Sequence, residues 1–146
     1  PPDLHEAALE RVEGYRAAMR EAGLPVRDAW ITQGAFDVAS GLACAGKLLD
    51  GDAPPTAIFA ANDEMALGAM MAARQRNLSV PGQLSVVGFD DTPASRSAWP
   101  PLTTVRQPLE DMGRAVIDAL IDRDGRRAPT LNFELVVRAS SGPPPP

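Results

Sequence analysis

The sequence predicts an α/β fold, a parallel β-sheet flanked by helices, and three observations predict it. TAIFAA (Thr56 to Ala61) and LSVVGF (Leu84 to Phe89) are near-continuous apolar runs of strand length, the pattern of parallel strands covered on both faces. Between them, apolar residues recur at helical period from Glu64 to Arg76, and Pro81-Gly82 punctuates the way to the second run. Strand, helix and strand at this spacing form a crossover unit, which favours a parallel sheet with right-handed connections. A length of 146 residues, 45% hydrophobic and 23% charged, suits one small globular domain or one lobe of a larger one.

Each element has its own signal. Leu4, Ala8, Val12, Tyr15 and Met19 share one face of a first helix, which Gly23 and Pro25 end. AWIT, Ala29 to Thr32, is a short strand candidate. Val38, Leu42, Ala45 and Leu49 then line a second helix, closed by Gly51 and the Pro54-Pro55 break. The helix from Glu64 to Arg76 is rich in alanine and methionine and apolar on more than one side. After Asp91 the composition of TPASRSAWPPLTT predicts a loop. A further helix runs from Leu109 to Asp122 with Met112, Val116, Leu120 and Ile121 apolar. TLNFELVV alternates Leu131, Phe133, Leu135 and Val137 against Asn132, Glu134 and Val136, as a strand with one more polar face does. The tail SGPPPP is expected to be disordered.

Composition excludes several functions. The formal net charge is -5 and no block of Lys and Arg occurs, so the footprint for binding a phosphate backbone is missing from this chain. Cys44 is the only cysteine, which excludes an internal disulfide or thiolate metal cluster and reads as a small apolar-face residue. No apolar run approaches the roughly 20 residues a membrane helix needs, and no secretory leader is seen. A cytoplasmic protein is expected. The chain opens Pro1-Pro2-Asp3 without methionine, so a further part is expected upstream.

Ligands of open parallel sheets gather beyond the carboxyl ends of the strands, and two of those ends here read Asn62-Asp63 and Asp90-Asp91. Asp63, directly before a helix, is expected to be its N-cap. Asn62, at the strand end, is expected to offer donor and acceptor to a ligand. Of Asp90 and Asp91, one carboxylate should face the cleft and the other turn to local backbone amides, because neighbours in an extended chain point opposite ways. Arg11 shares the face of Ala8 and Tyr15, so its donors either snorkel along the surface or aim into the cleft. Phe36 precedes the second helix and is either core or a ring face at the cleft edge.

Catalysis lacks a supporting cast. Asp63, Asp90 and Asp91 could hold magnesium for phosphoryl transfer. However, His5 is the only histidine, Lys47 the only lysine, and no phosphate loop, GxGxxG, HExxH or GxSxG motif occurs. No enzyme, cofactor or metal is expected. An amide, carboxylates, an arginine and an aromatic suit recognition of a neutral polyhydroxylated ligand.

PTAIFAANDEMALGAM, VPGQLSVVGFDD, PPLTTVRQPLEDMG and ELVVRASS, in this order and at these distances, resemble the effector-binding core of the LacI/GalR family of bacterial transcriptional repressors. ERVEGYRAAMREAGL is similar to the segment that opens that family's distal lobe. The resemblance implies a type I periplasmic-binding-protein-like fold, seen here mainly as its C-terminal lobe. It implies residues 1–106 as the distal lobe, 107–130 as a crossover segment and helix of the other lobe, 131–140 as the return strand and 141–146 as the tail. Arg11, Phe36, Asn62, Asp90 and Gln107 would line an effector cleft, with a sugar-like small molecule as ligand. A homodimer would form through Met65, Leu67, Met70, Met71 and Trp99, residue types enriched at interfaces. Operator DNA would be bound only through a headpiece outside this chain, and no membrane is implied. The closest competitor is a sugar-binding receptor of the periplasmic type, against which LTTVRQP followed by Met112-Gly113 stands.

Overall fold

The structure, a computed structural model, describes residues 6–121 and 130–145. Leu4, in the expected first helix, and Asp122, at the end of the last, lie outside them. In chain order the elements are α1 (Glu6–Glu21), α2 (Val38–Leu49), β1 (Ala57–Phe59), α3 (Asp63–Gln75), β2 (Ser85–Phe89), α4 (Pro93–Ser97), β3 (Thr103–Arg106), α5 (Leu109–Ile121) and β4 (Glu134–Val136). One sheet has the order β1-β2-β3-β4. The first three strands are parallel, with Ile58 opposite Val86 and Gly88 opposite Thr104. The fourth runs antiparallel to β3, with Arg106 opposite Glu134, so the sheet is mixed where a parallel one was expected.

The core lies between the sheet and the α2–α3 layer. Ile58, Val86, Leu84 and Leu102 are buried against Ala66, Ala69, Ala72, Ala73 and Ala45. Small residues on both helices let their backbones approach closely. At Gly41 an added Cβ would overlap the Met65 backbone, and at Gly68 it would overlap the backbone of Val38 and Leu42. The methionine-rich character of α3 is therefore only partly an exposed one.

Several expectations are corrected. AWIT is not a strand: Asp28–Trp30 form a 3-10 turn, and the following chain joins no ladder. Among the described residues no neighbouring strand offers it backbone partners. TAIFAA was expected to be buried on both faces, yet Phe59 is 44% exposed while Ile58 is buried. β1 is the edge of the described sheet, so only the α3 face is fully covered. The stretch predicted as one loop contains α4 and β3, because Thr103 and Thr104 are β-branched and their hydroxyls find partners when buried. Thr103 N donates to Ser140 Oγ at 2.8 Å, and Ser140 Oγ donates to Val86 O at 2.6 Å. Nor is the start of the tail loose. Ser141 Oγ lies 2.8 Å from Thr103 Oγ1, and Gly142 N donates to Ser85 Oγ at 3.1 Å.

α5 buries none of its residues, and Val116, Ile117, Leu120 and Ile121 are all exposed. Cys44 is buried, its thiol donating to Gln33 O at 3.3 Å.

Candidate functional site

The parallel strands β1, β2 and β3 all end at one edge of the sheet, and that edge carries Asn62, Asp90 and Gln107. Asn62 is the N-cap of α3: its Oδ1 accepts from Met65 N at 2.9 Å. The capping role expected of Asp63 thus falls to Asn62, a reversal of which residue caps the helix. The reversal has a steric basis. Asp63 is the first residue inside the helix and its carboxylate points across the sheet, where Gly88 leaves room for it. There it accepts from Thr92 N at 2.7 Å, Thr92 Oγ1 at 3.0 Å and Thr104 Oγ1 at 2.5 Å. Asp63 thus ties α3 to the turn after β2 and to β3.

The Asn62 amide nitrogen donates to Phe36 O at 3.0 Å, which fixes the loop before α2 to the end of β1. Each end of the amide keeps one further donor or acceptor. Asn62→Ala removes both the cap and this tie and is expected to cost about 1–2 kcal/mol, read by urea denaturation.

Asp90 accepts from Gln107 Nε2 at 2.6 Å, joining the ends of β2 and β3. Burial raises its carboxyl above the ordinary 3.8, the Gln107 hydrogen bond opposes this, the nearby Asp63 charge raises it and the Arg11 charge lowers it. Arg11 lies within electrostatic reach of Asp90, and its guanidinium carbon stands 4.0 Å from the centroid of the Phe89 ring. Phe36, Asp90 and Asp91 have φ values of 61°, 117° and 52°. Left-handed backbone is costly for a bulky residue such as phenylalanine and collects at functional sites.

Asp91 behaves differently from expectation: its carboxylate meets three guanidinium groups and not local backbone amides. Arg96 donates at 2.9 Å and Arg106 at 2.7 Å to one oxygen, and Arg138 donates to the other. Burial alone would raise this carboxyl, but hydrogen bonds from Arg138, Arg106 and Arg96 hold it well below the ordinary carboxylate range. Arg138 also donates to Leu102 O at 2.8 Å, and Arg106 pairs with Glu134 at 2.7 Å. The sequence reading missed these arginines, which lie far apart in the chain; an arginine in each of the closing strand segments, TTVR and VVR, was the available signal.

The magnesium reading required Asp63, Asp90 and Asp91 to converge. Two of the three are engaged by threonines or arginines, and among the described residues no group of three or more His, Cys, Asp or Glu is placed to hold a metal.

A cavity of about 340 Å³ opens between α1, the stretch from Trp30 to Phe36 and β1. Arg11, Tyr15, Trp30, Phe36 and Phe59 are on its wall, whereas Asn62, Asp90 and Gln107 are not. Because this cavity follows the open flank of β1, the edge beyond the strand ends is the better candidate for a polar ligand. Arg11 and Phe36 border both.

Of the residues assigned to a dimer contact, Met65 is corrected: it is buried in the core beside Gly34. Leu67 and Met70 are half-buried, Met71 is 48% exposed and Trp99 is 93% exposed. Among the described residues no helix is long and apolar enough to cross a membrane.

Comparison with known proteins gives a consistent result. The family described as periplasmic binding protein-like domain matches residues 1–141. The HTH-type transcriptional regulator DegA of Bacillus subtilis is 48% identical over 138 residues, 91% of this chain and 41% of DegA. This chain thus spans about two fifths of that relative. Among solved structures, a sugar-binding transcriptional regulator of the LacI family from Escherichia coli, complexed with phosphate, superposes with a TM-score of 0.86 at 32% identity. It covers 94% of this chain and 51% of that one. A complex of the transcriptional regulator CelR with cellobiose gives a TM-score of 0.84 at 37% identity, over 92% of this chain and 42% of the other. The chain belongs to the periplasmic-binding-protein-like domain family, in the form carried by transcriptional regulators of the LacI family.

Proposed function

We propose that this chain is the distal effector-sensing lobe of a LacI-type transcriptional regulator, and that Arg11, Phe36, Asn62, Asp90 and Gln107 form its half of the effector site. The observation that carries this is the joining of these five residues at one sheet edge. Asn62 holds Phe36, Gln107 holds Asp90, and Arg11 stands beside Asp90 over Phe89. One cation and one partly buried carboxylate, flanked by amides, suit the hydroxyls of a neutral sugar; the binding of cellobiose by CelR supports that class. The remaining amide valences of Asn62 and Gln107 would serve the same ligand.

The ligand would bind between this lobe and a second one, favour one arrangement of the two, and so change how a dimer presents headpieces to operator DNA in the cytoplasm. Neither catalysis nor a cofactor enters. Met71 and Trp99, with Leu67 and Met70 at the margin, are the proposed dimer contact. A monomer mass by light scattering, unchanged over a wide concentration range, would exclude it.

Isothermal titration of the full-length protein with cellobiose, glucose, ribose and adenosine tests the reading. A saturable heat is expected for one sugar, weakened about 10-fold or more in Arg11→Ala and Asp90→Ala, since each removes a charge-assisted bond. Sugar affinity should also fall on acidification. Asp90 accepts hydrogen bonds best when ionised, and its carboxyl sits above 3.8, so the loss begins at a higher pH than for an ordinary carboxylate. Full binding in both variants would move the site elsewhere.

A further inference from the structure

Arg11 is held in an unusual way. Its Nε is buried without a hydrogen-bond partner among the described residues, and the group beneath its guanidinium is the Phe89 ring, 4.0 Å from the guanidinium carbon to the ring centroid. A buried donor left unpaired is costly, and the negative face of an aromatic ring offsets part of that cost. The direction of the guanidinium therefore depends on where the Phe89 ring lies.

That ring has its own support. Phe89 ends β2, and on the preceding residue, Gly88, the opposite face of the strand is packed against Asp63 and Leu102. The Phe133 ring lies with its centroid 6.2 Å from that of Phe89 and tilted by 42°, within the range of favourable aromatic pairs. Phe133 is 52% exposed, so burial of its own surface does little to explain its place. It stands directly before β4, whose register is set by pairing of Arg106 with Glu134 and Val105 with Leu135. The ion pair between Arg106 and Glu134, at 2.7 Å, reinforces that register.

We infer that Phe89 and Phe133 are positioning residues of the effector site: the stack Phe133–Phe89–Arg11 sets the guanidinium direction and links it to the return segment that leads into β4. The inference rests on the proposed role of Arg11 in binding effector. A displacement of the return segment moves the Phe133 ring, withdraws support from Phe89 and turns the arginine. The stack gives the ligand-facing arginine a mechanical connection to the stretch of chain that leaves after Gln107 and returns at Phe133.

The test follows the Nε–H resonance of Arg11 by nuclear magnetic resonance, assigned by its loss in Arg11→Lys. In the unaltered protein it is expected to be displaced by the Phe89 ring current and to exchange slowly with solvent. Phe133→Leu should move the resonance towards that of an ordinary arginine, speed its exchange about fivefold and weaken the binding of cellobiose by a similar factor, the size of one aromatic support. Phe133→Tyr, which keeps the ring, should restore all three. A merely structural role would not be rescued by the ring alone while leaving other amide signals in place. An Arg11 resonance unmoved by Phe133→Leu overturns the inference. So does the absence, in the unaltered protein, of nuclear Overhauser contacts from the Phe89 ring to both Arg11 and Phe133, which decides the matter even if the leucine variant unfolds. If Phe133 controls the resonance but neither cellobiose nor the other titrants move it, the effector reading fails and the stack stands. If a sugar moves it and Phe133→Leu does not, the stack alone fails.

Discussion

Asp91→Ala is expected to destabilise the fold by about 3–5 kcal/mol, the range for removing one partner of a buried ion pair. The side chain of Asp91 is 1% exposed and that of Arg138 is 16% exposed, so the arginine cannot turn to water without local opening. Its other donors, to Leu102 O and Ser95 Oγ, hold it where the missing carboxylate was. Urea denaturation should show the midpoint falling with little change in slope. The pH dependence has a definite sign. The Asp91 carboxyl is held below its unfolded value of 3.8, so its contribution is complete above that value and is lost as pH falls below it. The alanine variant should lack this acid-side component, and its stability should therefore vary less with pH below about 4. Equal stability of variant and parent would mean that the three arginines find other partners.

Gly68→Val is expected to be comparably severe, about 3 kcal/mol or more, because a Cβ at this position overlaps backbone and not a movable side chain. Backbone atoms of Val38 and Leu42 would have to retreat, and α2 would lift off α3 across its whole contact. Gly14 provides the contrast. It lies within α1 with nothing within 4 Å of an added Cβ, so Gly14→Ala should stabilise the chain by about 0.5–1 kcal/mol through helix propensity alone. Thermal unfolding of the two variants separates close approach from intrinsic preference. A tolerated Gly68→Val would show that the helices can separate freely.

The apolar runs and helical periods were legible because they depend on residues adjacent in sequence: α1, α2, α3 and α5 and the runs holding β1 and β2 lie where their patterns predict. β3 was not legible, since Thr103 and Thr104 read as loop residues until Ser140, Arg138 and Asp63 supply partners from distant parts of the chain. AWIT failed for the converse reason: its strand pattern needs a neighbour that the described residues do not supply. At the candidate site, residue types and strand ends located Asn62 and Asp90. The passing of the cap from Asp63 to Asn62 depended on the space left by Gly88, a long-range fact. The three arginines around Asp91 were beyond local pattern altogether, because their positions acquire meaning only when β2, α4, β3 and the end of β4 are assembled.

The antiparallel pairing of β3 with β4 has a consequence for motion. The chain leaves the sheet after Arg106 and re-enters at Glu134, and these two residues are direct neighbours in the ladder. The outgoing chain at Gln107 and the incoming chain at Phe133 therefore meet the sheet at a single residue pair, at the end of a two-stranded β3–β4 ribbon. Such a ribbon bends and twists readily but resists shear, because sliding one strand past the other would break the ladder hydrogen bonds and the Arg106–Glu134 pair together. The outgoing and incoming chain can thus bend or twist at this pair more readily than they can slide, as at a hinge pin, while Gln107 stays tied to Asp90 and Phe133 rests against Phe89.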